Sequence, residues 1–176
     1  MNKDIVYVNV EKEIKDYYLD LLIECIEQRP KVDVHNNFLL NTDYLHNIYN
    51  VFISECRKKL NPFTISSLDF KCYCCLSDVN TYDTNIHNHE NDGQITGILY
   101  LKVPDPAKNK IELIPEKGFK TYFYPKNFDF LILPSTLNHM PHPSINKQKR
   151  ISLNLNLRCK ESSKEIFDTA RYGSNR

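Results

Sequence analysis

The spacing of apolar residues changes near residue 64, from a helical period before it to an alternating period after it. In the earlier part, apolar side chains recur three or four positions apart, which is typical of helices that bury one face. The first such pattern comprises Ile14, Tyr18, Leu21, Leu22, Cys25 and Ile26, and the second comprises Leu45, Ile48, Phe52, Cys56 and Leu60. Pro30 ends the first predicted helix, and Asn61-Pro62 ends the second, which Thr42 or Asp43 can cap.

Short strands are predicted after residue 64, because apolar and polar residues alternate there. The predicted strands cover residues 70–74, 95–101, 111–114, 120–124, 128–133 and 150–157. Many short strands after two helices predict a mainly β fold with N-terminal helices, a sandwich or barrel that the helices back. We expect a single domain over 1–176, with a helical support region (1–62), a β core (63–160) and a polar tail (161–176).

Composition narrows the function classes only a little. The 176 residues carry a net charge of +1, so no global field steers the protein toward nucleic acid or an anionic membrane. The first ten residues lack a signal-peptide pattern, and no apolar run reaches the length of a membrane span. The six cysteines form no pair of CxxC units, so we expect reduced thiols in a cytoplasmic protein. Abundant Lys, Asn and Ile suggest an AT-rich genome such as that of a phage or a low-GC bacterium.

Four of the six histidines fall in two clusters that flank predicted strands. His87 and His89 precede the strand at 95–101, while His139 and His142 follow the strand at 128–133. On an extended segment His87 and His89 point to one face, where they can share a metal ion that a third histidine, His139, completes. Non-haem iron(II) oxygenases use such a face, usually with two histidines and one carboxylate. The ordinary alternative is that the His-x-His pair and His139 lie on surface turns without a function.

Arg150 argues against that ordinary alternative. It opens a strand otherwise rich in Leu and Ile, where a guanidinium is costly to bury without an anionic partner. Guanidinium binds carboxylates through two parallel hydrogen bonds, and Ser152, two residues on, shares its face. Asn154 shares that face as well, and Tyr100, on the predicted strand at 95–101, is a weaker candidate. A metal site beside a carboxylate anchor suits a keto-diacid that chelates the metal.

The ordered set of motifs resembles a known family. The relevant segments are Pro134-Ser135-Thr136-Leu137-Asn138-His139, then Pro143, then Arg150-Ile151-Ser152-Leu153-Asn154-Leu155-Asn156, and upstream His87-x-His89, Thr96-Gly97-Ile98-Leu99-Tyr100-Leu101 and Pro104. Together they resemble the 2-oxoglutarate/iron(II) oxygenases of phages and marine bacteria, within the prolyl-hydroxylase-like superfamily. The resemblance covers about residues 68–158, and Thr96 stands where the family pattern has Ser.

The resemblance implies a fold, a cofactor set and residue roles. The fold would be a double-stranded β-helix, a cupin-like jelly roll. Fe(II) would be held by His87 and His139 with a second proximal ligand, and 2-oxoglutarate by Arg150 with Ser152. With O2, the enzyme would hydroxylate a substrate and release succinate and CO2. The substrate class stays open among an amino acid, a peptide or protein side chain and a nucleobase, and the oligomeric state is not assigned.

Alternatives remain open at two levels. The second proximal ligand is His89, or Asp92 or Glu90 supplies a carboxylate from a bent loop, or the site holds no iron. An all-histidine face is one negative charge short of the usual set. At the level of function, two alternatives to an oxygenase remain open. One is a cupin-like metalloprotein that does not use 2-oxoglutarate, and the other is a non-enzymatic β-sandwich binding module. Iron-dependent conversion of 2-oxoglutarate to succinate discriminates among these.

Overall fold

The structure, a computed structural model, describes residues 5–15, 19–20, 23–24, 37–39, 45–66, 71–77, 85–142 and 150–168. Its nine strands in this part of the chain are β1 (Val6–Asn9), β2 (Asn37–Leu39), β3 (Lys71–Ser77), β4 (Ile95–Lys102), β5 (Ile111–Ile114), β6 (Thr121–Phe123), β7 (Asp129–Pro134), β8 (Asn138–Pro141) and β9 (Arg150–Leu157). The helices are α1 (Glu11–Ile14), α2 (His46–Lys59) and α3 (Ser163–Phe167). The predicted mainly β class is therefore confirmed.

The strands form two antiparallel sheets. The larger sheet has six strands in the order β1-β7-β4-β9-β3-β2, and the smaller has three in the order β6-β5-β8. β4 and β9 are central in the larger sheet and pair with each other from Ile95 opposite Leu157 to Tyr100 opposite Ser152. Both central strands therefore contribute one row of side chains to each face of the sheet.

One face of the larger sheet packs against helices and forms the main apolar core. The odd-numbered residues of β9 (Ile151, Leu153, Leu155 and Leu157) are fully buried in it. Phe52 of α2 stacks on Phe130 of β7 with ring centroids 5.1 Å apart. α2 presents Ile48, Phe52 and Cys56 to this core at helical spacing, and its last turn carries Arg57, Lys58 and Lys59, which complement the helix dipole.

The other face of the larger sheet packs against the smaller sheet and forms a second core. Its apolar members include Ile98 and Tyr100 of β4, Leu131 and Leu133 of β7, and Ile111 and Leu113 of β5. The even-numbered residues of β9 share this face by register with β4, and they are polar. The space between the two sheets is thus partly polar, whereas the helix side is almost wholly apolar.

The alternation rule found six of the nine strands in the described part of the chain and missed three. The strands predicted at 111–114 and 150–157 match β5 and β9, and those at 70–74, 95–101, 120–124 and 128–133 match β3, β4, β6 and β7 within a few residues. β1, β2 and β8 were not predicted, and β1 and β2 lie within the region expected to be helical. β1 pairs with β7 from Val6 opposite Ile132 to Asn9 opposite Asp129, so Val6–Asn9 belongs to the larger sheet.

The helical expectations have mixed outcomes. The second predicted helix is present as α2. The first predicted helix, over residues 14–26, lies mostly outside the described residues. Of that range, the structure describes only residues 14–15, 19–20 and 23–24, and Ile14 is the last residue of the short α1. The polar tail expected from residue 161 does not hold for residues 163–167, which form α3 with Ile166 and Phe167 buried. Ser162 and Glu165 form a capping box there, a signal that the polar composition concealed.

Two further features bear on the sequence expectations. Cys56 and Cys159 are free and buried, as buried thiols commonly are. In the part of the chain that the structure describes, no helix combines the length and apolar content that a membrane crossing requires.

Candidate metal centre

Two of the candidate ligands face each other across a backbone bridge. His87 N donates to His139 O at 3.1 Å, and His139 N donates to His87 O at 2.9 Å, so the two residues form an isolated antiparallel pair. Side chains directly opposite in such a pair lie on the same face. Their ring centroids are accordingly 4.4 Å apart.

His89 joins this pair from the same extended segment. Two residues after His87, it returns to the same face, and its ring centroid lies 5.3 Å from that of His87 and 5.2 Å from that of His139. One ring nitrogen from each of the three lies within 4.8 Å of the others, a spacing that a single metal ion can bridge. The structure thus brings together the three histidines that the sequence pattern selected.

Hydrogen bonds fix which nitrogen of each ring is available to a metal. Nδ1 of His87 lies 2.9 Å from the carbonyl oxygen of Asn85, and Nδ1 of His139 lies 3.0 Å from that of Leu137. A carbonyl oxygen only accepts, so both Nδ1 atoms carry the proton and both Nε2 atoms keep a lone pair. A metal-binding histidine commonly has this arrangement, with one nitrogen held by an oxygen acceptor and the other left for the metal.

The third imidazole is held by a carboxylate. Nδ1 of His89 lies 3.5 Å from Oδ2 of Asp92, and the Asp92 backbone N donates to the His89 carbonyl at 2.8 Å. Asp92 therefore lies behind the ring and does not belong to the group of candidate ligand atoms. Glu90 is exposed and donates its backbone N to the Asn88 side chain. This geometry favours His89 over either carboxylate as the second proximal ligand.

An unsatisfied atom at the centre of the cluster fits a metal. Nε2 of His89 is buried and has no hydrogen-bond partner among the described residues. A buried imidazole nitrogen without a partner costs free energy, which coordination to a metal removes. The donor set of three neutral imidazoles suits iron, zinc, copper or nickel, in contrast to Mg²⁺ or Ca²⁺, which prefer oxygen ligands.

The electrostatics of the cluster favour the neutral form of two of its rings, those of His139 and His89. Burial, followed by the proximity of His87, lowers the pKa of His139 from 6.5 to about 3. Burial and His87 also lower the pKa of His89, although the contact with Asp92 acts in the opposite direction. Neutral imidazole is the form that binds metal, so the environment selects the ligand form.

The segment that carries His87 and His89 is anchored at several points. His89 N donates to the Ser135 carbonyl at 2.8 Å, and Gln94 N donates to the Leu157 carbonyl at 2.8 Å. Gly93 lies so close to β9 that a Cβ at this position would stand 2.3 Å from the Leu157 carbonyl oxygen. Only glycine allows this approach. The end of β9 thereby fixes the loop that presents the metal ligands.

Arg150, the predicted co-substrate anchor, opens β9 with its side chain turned toward the smaller sheet. It is 4% exposed, and its Nη1 donates to the His142 carbonyl at 2.9 Å. His142 follows His139 by three residues on extended chain, which corresponds to roughly 10 Å. The guanidinium therefore lies on the face of the larger sheet that meets the smaller sheet, to which His139 belongs through β8.

The other predicted co-substrate residues lie on that same face. Ser152 is buried and stands directly opposite Tyr100, while Asn154 is partly buried and stands opposite Ile98. Tyr100 is 3% exposed, with its ring centroid 6.4 Å from that of Phe123 in the second core. The structure thus places Arg150, Ser152, Asn154 and Tyr100 in one layer between the sheets.

His142, the fourth histidine of the two clusters, points elsewhere. Its Nε2 lies 3.4 Å from Oε2 of Glu112, which also forms an ion pair with Lys120 at 2.6 Å. Glu112 is opposite Met140 in the register of β5 and β8, one residue out of phase with His139. His142 therefore faces away from the metal cluster and contributes its backbone carbonyl to Arg150.

Three buried polar residues beside the cluster were not selected from the sequence. Thr96, Ser135 and Asn156 are each at most 1% exposed. Thr96 Oγ1 lies 2.8 Å from Ser135 Oγ and 2.7 Å from Asn156 Oδ1. The signal that identifies Asn156 is the strict alternation of β9, which places it on the face of Arg150.

A separate groove of about 570 Å³ lies between α3 and the turn after β7. Its lining includes Thr136 and Leu137, but none of the three histidines and none of the predicted co-substrate residues. Leu137 links it to the metal cluster, because the Leu137 carbonyl holds His139.

Comparison with solved structures shows a shared fold. A prolyl-4-hydroxylase from Pseudomonas putida aligns with a TM-score of 0.61 at 12% identity, covering 90% of this chain and 94% of its own. A prolyl hydroxylase from Trichoplax adhaerens, solved with a peptide fragment of hypoxia-inducible factor, aligns with a TM-score of 0.62 at 14% identity. This alignment covers 99% of this chain and 89% of the Trichoplax chain. A 2OG-Fe(II) oxygenase family oxidoreductase from Burkholderia pseudomallei aligns with a TM-score of 0.62 at 12% identity, and the alignment covers 92% of this chain and 89% of the Burkholderia chain.

Sequence comparison adds no family assignment. No protein-family model matches the chain, and no curated protein matches it. At 12–14% identity these structural alignments establish the fold alone. The chain has the fold of 2-oxoglutarate/iron(II) oxygenases and carries a histidine triad that can bind a metal.

Proposed function

We propose that this protein is an Fe(II)- and 2-oxoglutarate-dependent oxygenase of the double-stranded β-helix type. The observation that carries the proposal is the convergence on one point of three imidazoles from two distant segments of the chain, with a buried arginine on the same side of the larger sheet. A metal site alone fits many classes of protein. A metal site with a carboxylate anchor nearby fits a chelating keto-diacid.

In this proposal His87, His89 and His139 hold the metal through Nε2, since their Nδ1 atoms already contact oxygen acceptors. The bound iron would supply the oxidation of substrate by O2, coupled to decarboxylation of 2-oxoglutarate to succinate and CO2. Asp92, which contacts the His89 ring and not the metal, supplies the negative charge that a ligand carboxylate would otherwise bring.

The chain's own residues bind and orient the co-substrate. Arg150 donates a pair of charge-assisted hydrogen bonds to the far carboxylate, and Ser152, two residues on, donates to the same group. Tyr100, opposite Ser152, closes the side of this layer and excludes water from it. Burial strengthens these electrostatic contacts, because the local dielectric is low.

A substrate with a peptide or amino-acid character is the first choice for assay. The Trichoplax structure contains a peptide fragment, and the chain aligns with that enzyme over 99% of its length. We therefore assign a prolyl or other side-chain hydroxylation as the reaction to test first, and free amino acids and nucleobases next.

The decisive experiment measures iron-dependent binding and turnover of 2-oxoglutarate. Purified protein is loaded with Fe(II) without oxygen, titrated with 2-oxoglutarate, and then exposed to air while succinate is quantified. We expect binding and succinate formation, both lost in His139→Ala. In Arg150→Lys, which keeps the charge but loses the planar fork, the affinity for 2-oxoglutarate should fall roughly 10-fold or more. Absence of any iron-dependent 2-oxoglutarate binding in the wild type would refute the proposal.

The same experiment separates the competing functions. A cupin-like metalloprotein would bind metal through the same histidines, yet Arg150→Lys would leave its activity unchanged and no succinate would form. A non-enzymatic binding module would show neither stoichiometric metal binding nor turnover.

A further inference from the structure

A short chain of hydrogen bonds runs through the interior beside the histidine cluster. Asn156 Oδ1 only accepts, so Thr96 donates its single hydroxyl hydrogen to it at 2.7 Å. Thr96 Oγ1 then accepts from Ser135 Oγ, 2.8 Å away. The hydrogen bonds therefore run in one direction, with Ser135 donating to Thr96 and Thr96 donating to Asn156. They hold the Asn156 side-chain amide in one orientation.

The amide nitrogen at the end of this chain is unsatisfied. Nδ2 of Asn156 is buried, the residue is 0% exposed, and this atom has no hydrogen-bond partner in the part of the chain that the structure describes. Two buried N–H groups without an acceptor are costly, and native interiors rarely keep them unless a bound molecule or an ordered water supplies the acceptor. Asn156 therefore requires an oxygen acceptor between the sheets.

The position of Asn156 relates that missing acceptor to the metal. Ser135 is the first donor in this series of hydrogen bonds. Its backbone carbonyl also accepts a hydrogen bond from the backbone N–H of His89 at 2.8 Å. His89 Nε2 is likewise buried without a partner among the described residues. The unsatisfied acceptor, His89 Nε2, and the unsatisfied donor, Asn156 Nδ2, are thus connected through the hydrogen bonds of Ser135 and Thr96. A metal with an oxygen ligand satisfies both, because the metal takes the lone pair and the ligand oxygen takes the N–H.

We propose that Asn156 Nδ2 binds the carboxylate of 2-oxoglutarate next to the keto group, at the metal end of the co-substrate. This inference rests on the proposed function. Arg150, on the same face of β9, would hold the opposite carboxylate, so one strand carries donors for both ends of the molecule. Thr96 and Ser135 act as positioning residues that orient the Asn156 amide.

The test compares Asn156→Ala with a matched control, Asn109→Ala. Asn109 is a buried asparagine, 1% exposed, whose amide donates to the Asp105 carbonyl far from the cluster in sequence. Each full-length variant is loaded with Fe(II) under anaerobic conditions and titrated with 2-oxoglutarate, with the metal-to-ligand charge-transfer absorption as the readout. Iron affinity is measured separately, and thermal unfolding reports whether each variant is folded.

We expect Asn156→Ala to raise the Kd for 2-oxoglutarate roughly 10- to 100-fold, the range for a lost hydrogen bond to a charged group. Asn109→Ala should stay within about threefold of the wild type. Asn156→Asp keeps the size of the side chain and the acceptor for Thr96, so it guards against a variant that fails to fold. Because it replaces the donor with a negative charge, it should weaken binding at least as much as Ala.

Three results would overturn the inference. The first is a wild-type Kd in Asn156→Ala or Asn156→Asp. The second is a loss of equal size in Asn109→Ala, which would indicate a general structural effect. The third is a loss of iron affinity that accounts for the whole change, which would place the effect on His89. Failure of the wild type to bind 2-oxoglutarate at all would instead overturn the proposed function, and this inference with it.

Discussion

Replacement of Asp92 tests whether the missing ligand charge is supplied from behind His89. The contact from Asp92 Oδ2 to His89 Nδ1 is 3.5 Å, with side-chain exposures of 21% and 11%, so it is partly screened and longer than an ideal hydrogen bond. Loss of such a partner typically lowers metal affinity 10- to 100-fold. Because this contact is long, we expect about a tenfold loss in Asp92→Ala, or about 1.4 kcal/mol.

The comparison of three variants separates charge from orientation. Asp92→Asn keeps an oxygen acceptor for His89 but removes the negative charge, so it should lose most of the affinity that Asp92→Ala loses. Glu90→Gln is the matched control, since Glu90 is an exposed carboxylate two residues away. Iron affinity is measured by anaerobic competition with a chromogenic chelator. Wild-type affinity in Asp92→Ala would refute the role of Asp92 behind His89. A larger loss in Glu90→Gln than in Asp92→Ala would instead give the ligand role to the Glu90 carboxylate.

Three further outcomes are expected. A Cβ on Gly97 would stand 2.6 Å from ring atoms of both Phe52 and Phe130, so Gly97→Ala should lower the free energy of unfolding by roughly 1–3 kcal/mol in urea denaturation, and an unchanged midpoint would contradict the packing. Metal at about 100 times its Kd should raise the free energy of unfolding by about 2.7 kcal/mol, and His139→Ala should abolish this gain, as measured by thermal melts with and without chelator. The hydrogen bond from Lys120 lowers the pKa of Glu112, so this carboxylate stabilises the fold above its unfolded pKa, and the stabilisation is lost as the pH falls through the lower folded pKa. Glu112→Gln should therefore flatten the acid limb of the stability profile, and an identical limb would contradict the assignment.

The sequence predicted β9 most clearly, because the two faces of this strand differ in chemistry. β9 alternates polar and apolar residues over its full length, since one face meets helices and the other meets the space between the sheets. β8 escaped prediction because Asn138–Pro141 spans only four residues and contains a proline, which reads as a turn. Its pairing with β5 is long-range, so no local pattern reports it.

The candidate site could be selected from the sequence where its residues belong to rare types. Histidine occurs six times, so two clusters of it stand out, and a lone arginine in a Leu-rich strand stands out equally. Thr96, Ser135 and Asn156 are common residue types, and nothing in their local spacing marks them as one hydrogen-bonded group. Their relation depends on strand register, which places Thr96 opposite Asn156. Asp92 was weighed as a ligand because sequence order alone does not show on which side of His89 it lies.

The division of labour on β9 explains how the fold supports a polar interior. Arg150, Ser152 and Asn156 are buried on one face of the strand, where each polar group requires a partner to offset its desolvation. The opposite face carries four fully buried aliphatic side chains, each of which contributes about 1.5–3 kcal/mol through burial. Because the two faces alternate residue by residue, the apolar face fixes the register, and a slip by one residue would exchange the two rows. The same aliphatic residues that stabilise the helix-side core therefore hold Arg150 and Asn156 in the layer that contains the metal ligands.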